Sequence, residues 1–525
     1  MHRENKEDSI YADRWNTADI IIALAVICFY IGITWYGSSG VRGTDDYWYV
    51  ADVQSLINGH GIQTNNIFPV SLINGIPKLP RPFVHNTLNV YLAAIPAMVF
   101  GAYKGWIVTN ILSSLLTSYI IYIIVKRISG HKPALMGALV YLIMPLTLLQ
   151  SIKPMAEASI APIVALLILV YMNDHKKYWE WLLLMILSGL LIFCRVSFLP
   201  VLLIIPFLYL LEKRKLDRRT LCYMLVLMFT GFVFLKMNGI LFKANASFSY
   251  LQIVNSAVPN KSNNMNLYFN LHPDKITFVD ALGNIKAKAI EGLRIQFIPS
   301  NIPSDRLNFK KYYLPFNLMF IASILMLYKY KNRKYLKISF IALFFYVLHL
   351  ITIVLFQNQD RYMLVSLPIM IIGATVFLGS FKWFEVSKKY VAPIIVIIGL
   401  IIFMPLNVSK AKAYSEDITY YEKAYKDVGN VFEKVIPTTD TVIVEAEAPW
   451  QYLMKGYMLR PRRVLFVLDS YTINEYNVLI KNSKAKWMIC RKDSLLVDKI
   501  KNRVGESNSK LPAPFENYII YQIIN

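Results

Sequence analysis

Apolar residues in this chain come in runs separated by short polar segments. The runs are Ile20–Gly37, Leu88–Phe100, Gly105–Val125, Pro133–Leu149, Ile160–Met172, Trp179–Phe193, Val196–Leu211, Leu221–Met237, Leu314–Leu327, Ile338–Phe356, Leu364–Ser380 and Ala392–Met404. Many approach the ~20 residues that carry a helix across a bilayer. Between them lie VKRISGHK (Val125–Lys132), EKRKLDRR (Glu212–Arg219) and KYKNRKYLK (Lys329–Lys337), all basic and short. Basic loops mark the cytoplasmic side. If Leu88–Phe100 and Gly105–Val125 both crossed, VKRISGHK would fall outside. Leu88–Phe100 is short and contains Pro96, so it reads as an interfacial helix on the outer face. The pattern therefore predicts a polytopic α-helical membrane protein of about eleven spans with a cytoplasmic N-terminus.

Two polar stretches then fall outside, the loop 38–104 and the long segment 238–313. The tail, 407–525, has a different pattern. YEKAYKDVGNVFEKVI has helical periodicity, and TVIVE, VLFVL, KWMIC and YIIYQII are short β-rich runs. Such alternation predicts an extracytoplasmic α/β domain. The division is thus 1–406, transmembrane, and 407–525, α/β.

Composition agrees. The 525 residues are 56% hydrophobic and 17% charged, with a formal charge of +23. The Lys and Arg sit mainly in the short loops between apolar runs, which argues against nucleic-acid binding. Cys28, Cys194, Cys222 and Cys490 have no zinc-like spacing and imply no disulfide framework. The run Ile20–Tyr36 lacks a small-residue cleavage site after it and reads as an uncleaved first helix. The sequons at Asn245 and Asn407 matter only in a host that glycosylates them.

The chemistry concentrates in TDDYWYVADVQSLINGHG and NGIPKLPRPFVHN of the first outer loop. Acids after a membrane helix are ordinarily just solvated. Asp45 and Asp46, however, precede Tyr47, Trp48, Tyr49 and an amphipathic turn that would fix them at the membrane surface. A carboxylate so held can accept the proton of an attacking hydroxyl or amine. Arg81 lies between Pro80 and Pro82. Snorkelling is the plain role for a lone arginine, and a phosphate clamp is the functional one. His85 follows, as a packed polar residue first and a proton carrier second. Lys153 and Glu157 occupy the outer loop SIKPMAEAS. There a carboxylate suits a helix N-terminus or serves as a second acid of the site. Arg195 and Arg361 stand at the outer ends of spans, where headgroups or a substrate phosphate pair with them.

This order of features resembles the integral-membrane glycosyltransferases of the GT-C fold. It is most similar to the group holding protein O-mannosyltransferases and lipid A aminoarabinose transferases. The resemblance implies inverting transfer of a sugar from a polyprenyl-phosphate carrier to an acceptor on the outer face of a plasma membrane. Asp45 takes the place of the catalytic acid, followed by Asp46. Arg81-Pro82-Phe83 stands for the family's Lys-Pro-Pro, and Glu157 for the acid of the later loop. GLLIFCRVS, with Arg195, and QDRYMLVSLP, with Arg361, match two further stretches. In several relatives an acid precedes the basic–Pro motif and helps bind a divalent metal. Pro80 stands there in this chain, so any metal would rest on Asp45 and Glu157. No WWD motif occurs, which argues against an oligosaccharyltransferase. The acceptor stays open among lipid, envelope glycan and protein. The rivals are a lipid-linked glycan flippase, a glycan polymerase or ligase, and a non-catalytic receptor.

Overall fold

The computed structural model describes residues 15–38, 44–59, 66–67, 87–173, 178–194, 363–379, 388–445, 463–467, 471–500, 504–506, 511–512 and 515–524, with a few single helical positions between. The runs expected at Val196–Leu211, Leu221–Met237, Leu314–Leu327 and Ile338–Phe356 lie outside these residues, apart from such single positions, as does nearly all of 238–313.

The first helix, α1, is Thr17–Gly37. Its start is a capping box. Asn16 Oδ1 accepts from the Asp19 amide at 2.8 Å, and the Asp19 carboxylate accepts from the Asn16 amide at 3.2 Å. Then comes α2, Thr44–Ile57, carrying the acid pair in its first turn. The next helix, α3, is Thr87–Ser129, folded at Gly101, where φ is 78° and ψ 162°. Only glycine adopts that conformation readily. The two arms, 87–100 and 102–129, double back on each other. Thr109 Oγ1 donates to the Leu92 carbonyl at 3.4 Å. At Gly105 the arms are so close that a Cβ would lie 2.4 Å from Ala97 Cα. The two apolar stretches of the sequence are therefore the arms of one hairpin.

The span expected at Pro133–Leu149 is a broken pair, α4 (His131–Ile143) and α5 (Pro145–Ser151), bent by 52°. The break falls at Met144, extended at ψ 130°. A residue before proline is driven out of the helical region by the ring's Cδ, and Pro145 follows. Next are α6 (Glu157–Tyr171), α7 (Tyr178–Cys194) and α8 (Met363–Gly379). Their shared core with α1, α3 and α4 is almost wholly aliphatic.

The longest helix, α9, runs Lys388–Val435. It crosses the 406/407 boundary without interruption, because the stretch after Pro405 holds no residue that stops a helix. The transmembrane and tail segments therefore share one rod. Asn407 is buried and donates Nδ2 to the Ile143 carbonyl at 3.0 Å.

Beyond α9 a sheet forms from β2 (Thr441–Glu445), β3 (Arg463–Val467), β4 (Ala485–Arg491), β5 (Val504–Glu506) and β6 (Tyr518–Ile523), with α10 (Ile473–Ser483) and α11 (Leu495–Ile500) between strands. A further strand, β1, is Asn66–Ile67 of the first loop. The order is β1-β3-β2-β4-β6-β5. The first four strands are parallel, and β6 is antiparallel to β4 and β5. Alternate residues face opposite sides. Val442, Val444, Val464, Ile489 and Ile520 share a core with Val428, Phe432 and Ile436 at the end of α9. Ile443, Leu465, Val467 and Met488 pack with Tyr476 and Leu479 of α10. The result is a helix–sheet–helix sandwich. The sheet takes a strand from the first loop, and its covering helix begins inside the bundle.

Among the described residues, Thr17–Gly37, Leu88–Ser129 and Pro393–Ala413 are helices long and apolar enough to cross a membrane, and the bent α4–α5 pair raises the number to 4. Leu88–Ser129 is folded at Gly101 and is not one straight span. Glu157–Tyr171, Trp179–Leu191 and Leu367–Gly379 are shorter apolar helices. Ile20, Ile21, Leu24 and Ile31 of α1, and Ile394, Ile397, Ile398, Ile401 and Ile402 of α9, are exposed. An apolar surface of this extent suits lipid rather than water. The chain is an integral membrane protein.

Candidate functional site

The bundle has two polar ends. At one end, α1 finishes at Gly37, α3 turns at Gly101, and the segment after α5 leads into α6. Lys104 Nζ bonds Ser38 twice, to its carbonyl and, at 2.8 Å, to its hydroxyl, and lies 4.5 Å from the Trp35 ring. Tyr103 donates to the Ile152 carbonyl at 3.4 Å. The α3 arm also fixes the segment Lys153–Glu157. Asn110 Nδ2 donates to the Lys153 carbonyl at 2.6 Å and to the Gln150 carbonyl at 3.3 Å. Trp106 Nε1 donates to the Met155 carbonyl at 3.1 Å. Glu157 opens α6 and is buried, 1% exposed. Two residues on, Ser159 donates to Asn89 Oδ1 at 2.8 Å, tying α6 to the first arm of α3.

The acid-bearing helix α2 docks on this arrangement. Tyr49, one turn after Asp45, stacks on Trp106 with centroids 5.2 Å apart and planes 20° from parallel. Val50 and Val53 bury beside Val90, Ala93, Ala94 and Ala97 of the first arm. One aromatic therefore serves both acidic segments, since Trp106 supports α2 through its face and Met155 through its N–H. The structure brings α2 and the Glu157 segment to the same end of the bundle. Arg81, His85, Arg195 and Arg361 lie outside the described residues. Among the described residues, no three His, Cys, Asp or Glu side chains gather as ligands for one ion.

At the other end, Asp19 is fully buried. Lys132 Nζ donates to its two oxygens at 2.6 and 2.5 Å, and His131 Nε2 lies 3.1 Å away. Tyr122 bonds His131 Nδ1 at 2.9 Å, and Trp15 covers the imidazole at 5.0 Å. Nearby, Arg127 donates to Asn173 at 3.2 Å, and Asn173 to Glu180 at 2.7 Å. Sequence reading assigned His131 and Lys132 only to a basic loop and passed over Asp19. An acid in the first turn of an apolar helix, after an Asn, was the available signal. Lys104, Asn89 and Asn110 were also missed. Each is a polar residue inside or beside an apolar run, which in a membrane demands a partner.

The likeness to solved structures gives this chain the GT-C fold. The family model for dolichyl-phosphate-mannose-protein mannosyltransferase matches residues 84–237. ArnT from Cupriavidus metallidurans, solved bound to undecaprenyl phosphate, superposes with a TM-score of 0.59 at 11% identity, over 97% of this chain and 98% of that one. Its apo form gives 0.58 at 12% identity, over 96% and 97%. The oligosaccharyltransferase AglB from Archaeoglobus fulgidus, in complex with an inhibitory peptide and a dolichol-phosphate, gives 0.51 at 11% identity, over 96% of this chain and 75% of that one. No curated protein matches the chain in sequence.

Proposed function

We propose that the protein is an inverting glycosyltransferase that moves a sugar from a polyprenyl-phosphate carrier to an extracytoplasmic acceptor. The observation that carries this is the docking of α2 on Trp106, the residue that also holds the Met155–Glu157 turn. A carboxylate held on a packed helix can act as a base. The solved structures bound to undecaprenyl phosphate and to a dolichol-phosphate support the donor class.

In this reading Asp45 accepts the proton of the acceptor hydroxyl or amine, with Asp46 beside it. The freed lone pair attacks the anomeric carbon from the face opposite the phosphate. The carbon–oxygen bond to phosphate breaks, its electrons pass to the carrier, and the anomeric configuration inverts. Arg81, with Arg195 and Arg361, offsets the charge that grows on the departing phosphate. Lys153 and His85 contribute to substrate binding, and Glu157 orients the substrate. A divalent ion, if one is used, would be held by Asp45 and Glu157 and would offset charge on the phosphate. The end holding Lys126, Arg127 and Lys132 faces the cytoplasm by the bias of basic residues. The acid pair, Glu157 and the sheet then face outward from a plasma membrane.

The test uses purified protein in lipid with a radiolabelled polyprenyl-phosphate sugar and an envelope extract as acceptor. Native protein transfers label. Asp45→Asn transfers it at least about 10²-fold more slowly while still binding carrier. Movement of labelled lipid across liposomes without any acceptor would instead identify a flippase.

A further inference from the structure

The sheet beyond α9 takes its edge strand from the loop that carries the acid pair. Asn66 and Ile67 register with Val464 and Leu465, in parallel. Those two residues register on their other side with Val442 and Ile443 of β2. The loop strand thus pairs with buried residues of β3, since Val464 and Leu465 are at most 1% exposed. Tyr49, Val50 and Val53 of α2 also belong to the apolar cluster that contains Val428, Phe432, Val442 and Val464. The helix bearing Asp45 therefore docks on the bundle through Trp106, and the loop that follows it joins the sheet through β1.

We propose that β3 is a positioning element for the first-loop acids: its pairing with Asn66–Ile67 fixes α2, so the sheet sets the rate of the chemical step rather than only admitting the acceptor. This rests on the reading of Asp45 as the base. A base must sit within hydrogen-bond reach of the proton it takes. A displacement of about 1 Å lowers turnover about 10²-fold.

Two variants test it. Asn66→Pro/Ile67→Pro removes the one β1 amide that faces β3 at the sheet edge, whichever of the two carries it, leaving β2, β3 and β4 intact. Asn66→Cys/Val464→Cys places thiols at registered neighbours about 4.8 Å apart, within the Cα range of a disulfide. The double cysteine chain should cross-link under mild oxidation, read as a disulfide-linked peptide pair, and keep its turnover when linked. The double proline chain should exchange backbone amides over 44–57 at least about tenfold faster. Its kcat should fall about 10²-fold with the acceptor KM within about twofold. A raised acceptor KM at unchanged kcat would mean that the sheet serves the acceptor alone and would overturn the proposal. So would unchanged exchange over 44–57, or thiols that do not link in folded protein. Exchange and cross-linking need no turnover. A native protein that transfers no sugar would sink the reading of Asp45, while the exchange result still decides whether β3 holds α2.

Discussion

The hairpin of α3 makes a sharp prediction at Gly105. A Cβ built there falls 2.4, 2.5 and 2.6 Å from Ala97 Cα, N and Cβ, where ordinary contact begins at 3.4 Å. Gly105→Ala must therefore push the arms apart by about 1 Å, the difference between 3.4 and 2.4. Overpacking of this kind costs about 1–3 kcal/mol. The shift also reaches Trp106, whose 3.1 Å bond to the Met155 carbonyl would stretch beyond hydrogen-bond range. Losing that bond adds about 0.5–1.5 kcal/mol. A loss of about 2–4 kcal/mol in all is expected, with transfer activity down about 10²-fold because both acidic segments lean on Trp106. Scanning fluorimetry of detergent-solubilised protein and the carrier transfer assay read the two effects. Adding Ala97→Gly should not rescue the variant, since the Cα and N of Ala97 remain in place. A Gly105→Ala chain with native melting and turnover would refute the hairpin. Full rescue by Ala97→Gly would show that only a side chain was in the way.

Gly101→Ala should lower stability by about 1–3 kcal/mol through backbone strain alone, since nothing lies within 4 Å of the added methyl; a neutral result in the same melting assay would mean that the turn relaxes. Asp19→Asn leaves Lys132 buried without its counter-charge and should cost about 3–5 kcal/mol, while Asp19→Asn/Lys132→Met regains much of it; equal losses for both chains would contradict the pairing. At Asp440, burial pushes the carboxyl upward. Hydrogen bonds from Lys486 and Trp487, with the Lys486 charge, outweigh burial and hold the group below its ordinary value. A depressed native pKa stabilises above the unfolded value near ~3.9, and the gain is lost as pH falls through the native value. The melting gap between native protein and Asp440→Asn should therefore be widest near neutral pH and close below about pH 4. A gap that persists in acid would assign the effect to something other than charge.

The helical runs at Ile20–Gly37, Ile160–Met172, Trp179–Phe193 and Leu364–Ser380 could be read directly, because lipid leaves a long apolar segment no other satisfied conformation. TVIVE and KWMIC could be read as strands for a related reason, since strands buried on both faces are apolar without a break. Features made by distant residues were not legible. Asp19 and His131 stand 112 positions apart, and neither announces the other. The pairing of Asn66–Ile67 with β3 depends on backbone amides, which any sequence possesses, so two residues carry no pattern at all. The hairpin of α3 turned on glycines whose meaning depends on φ and on what lies opposite. The continuity of α9 was hidden because a change of composition was taken for a change of element. The apolar stretch to Met404 and the polar stretch after it obey different solvents but the same helical backbone. For the same reason the candidate site was only partly legible. The acids stand out in TDDYWY, whereas Trp106 and Asn110, which hold two of its segments in place, look like ordinary residues of an apolar helix until their partners Tyr49, Met155 and Lys153 are in view. A membrane helix can carry such polar groups only where a neighbour satisfies them. Each one inside an apolar run is thus a constraint on tertiary contact, even before the contact is known.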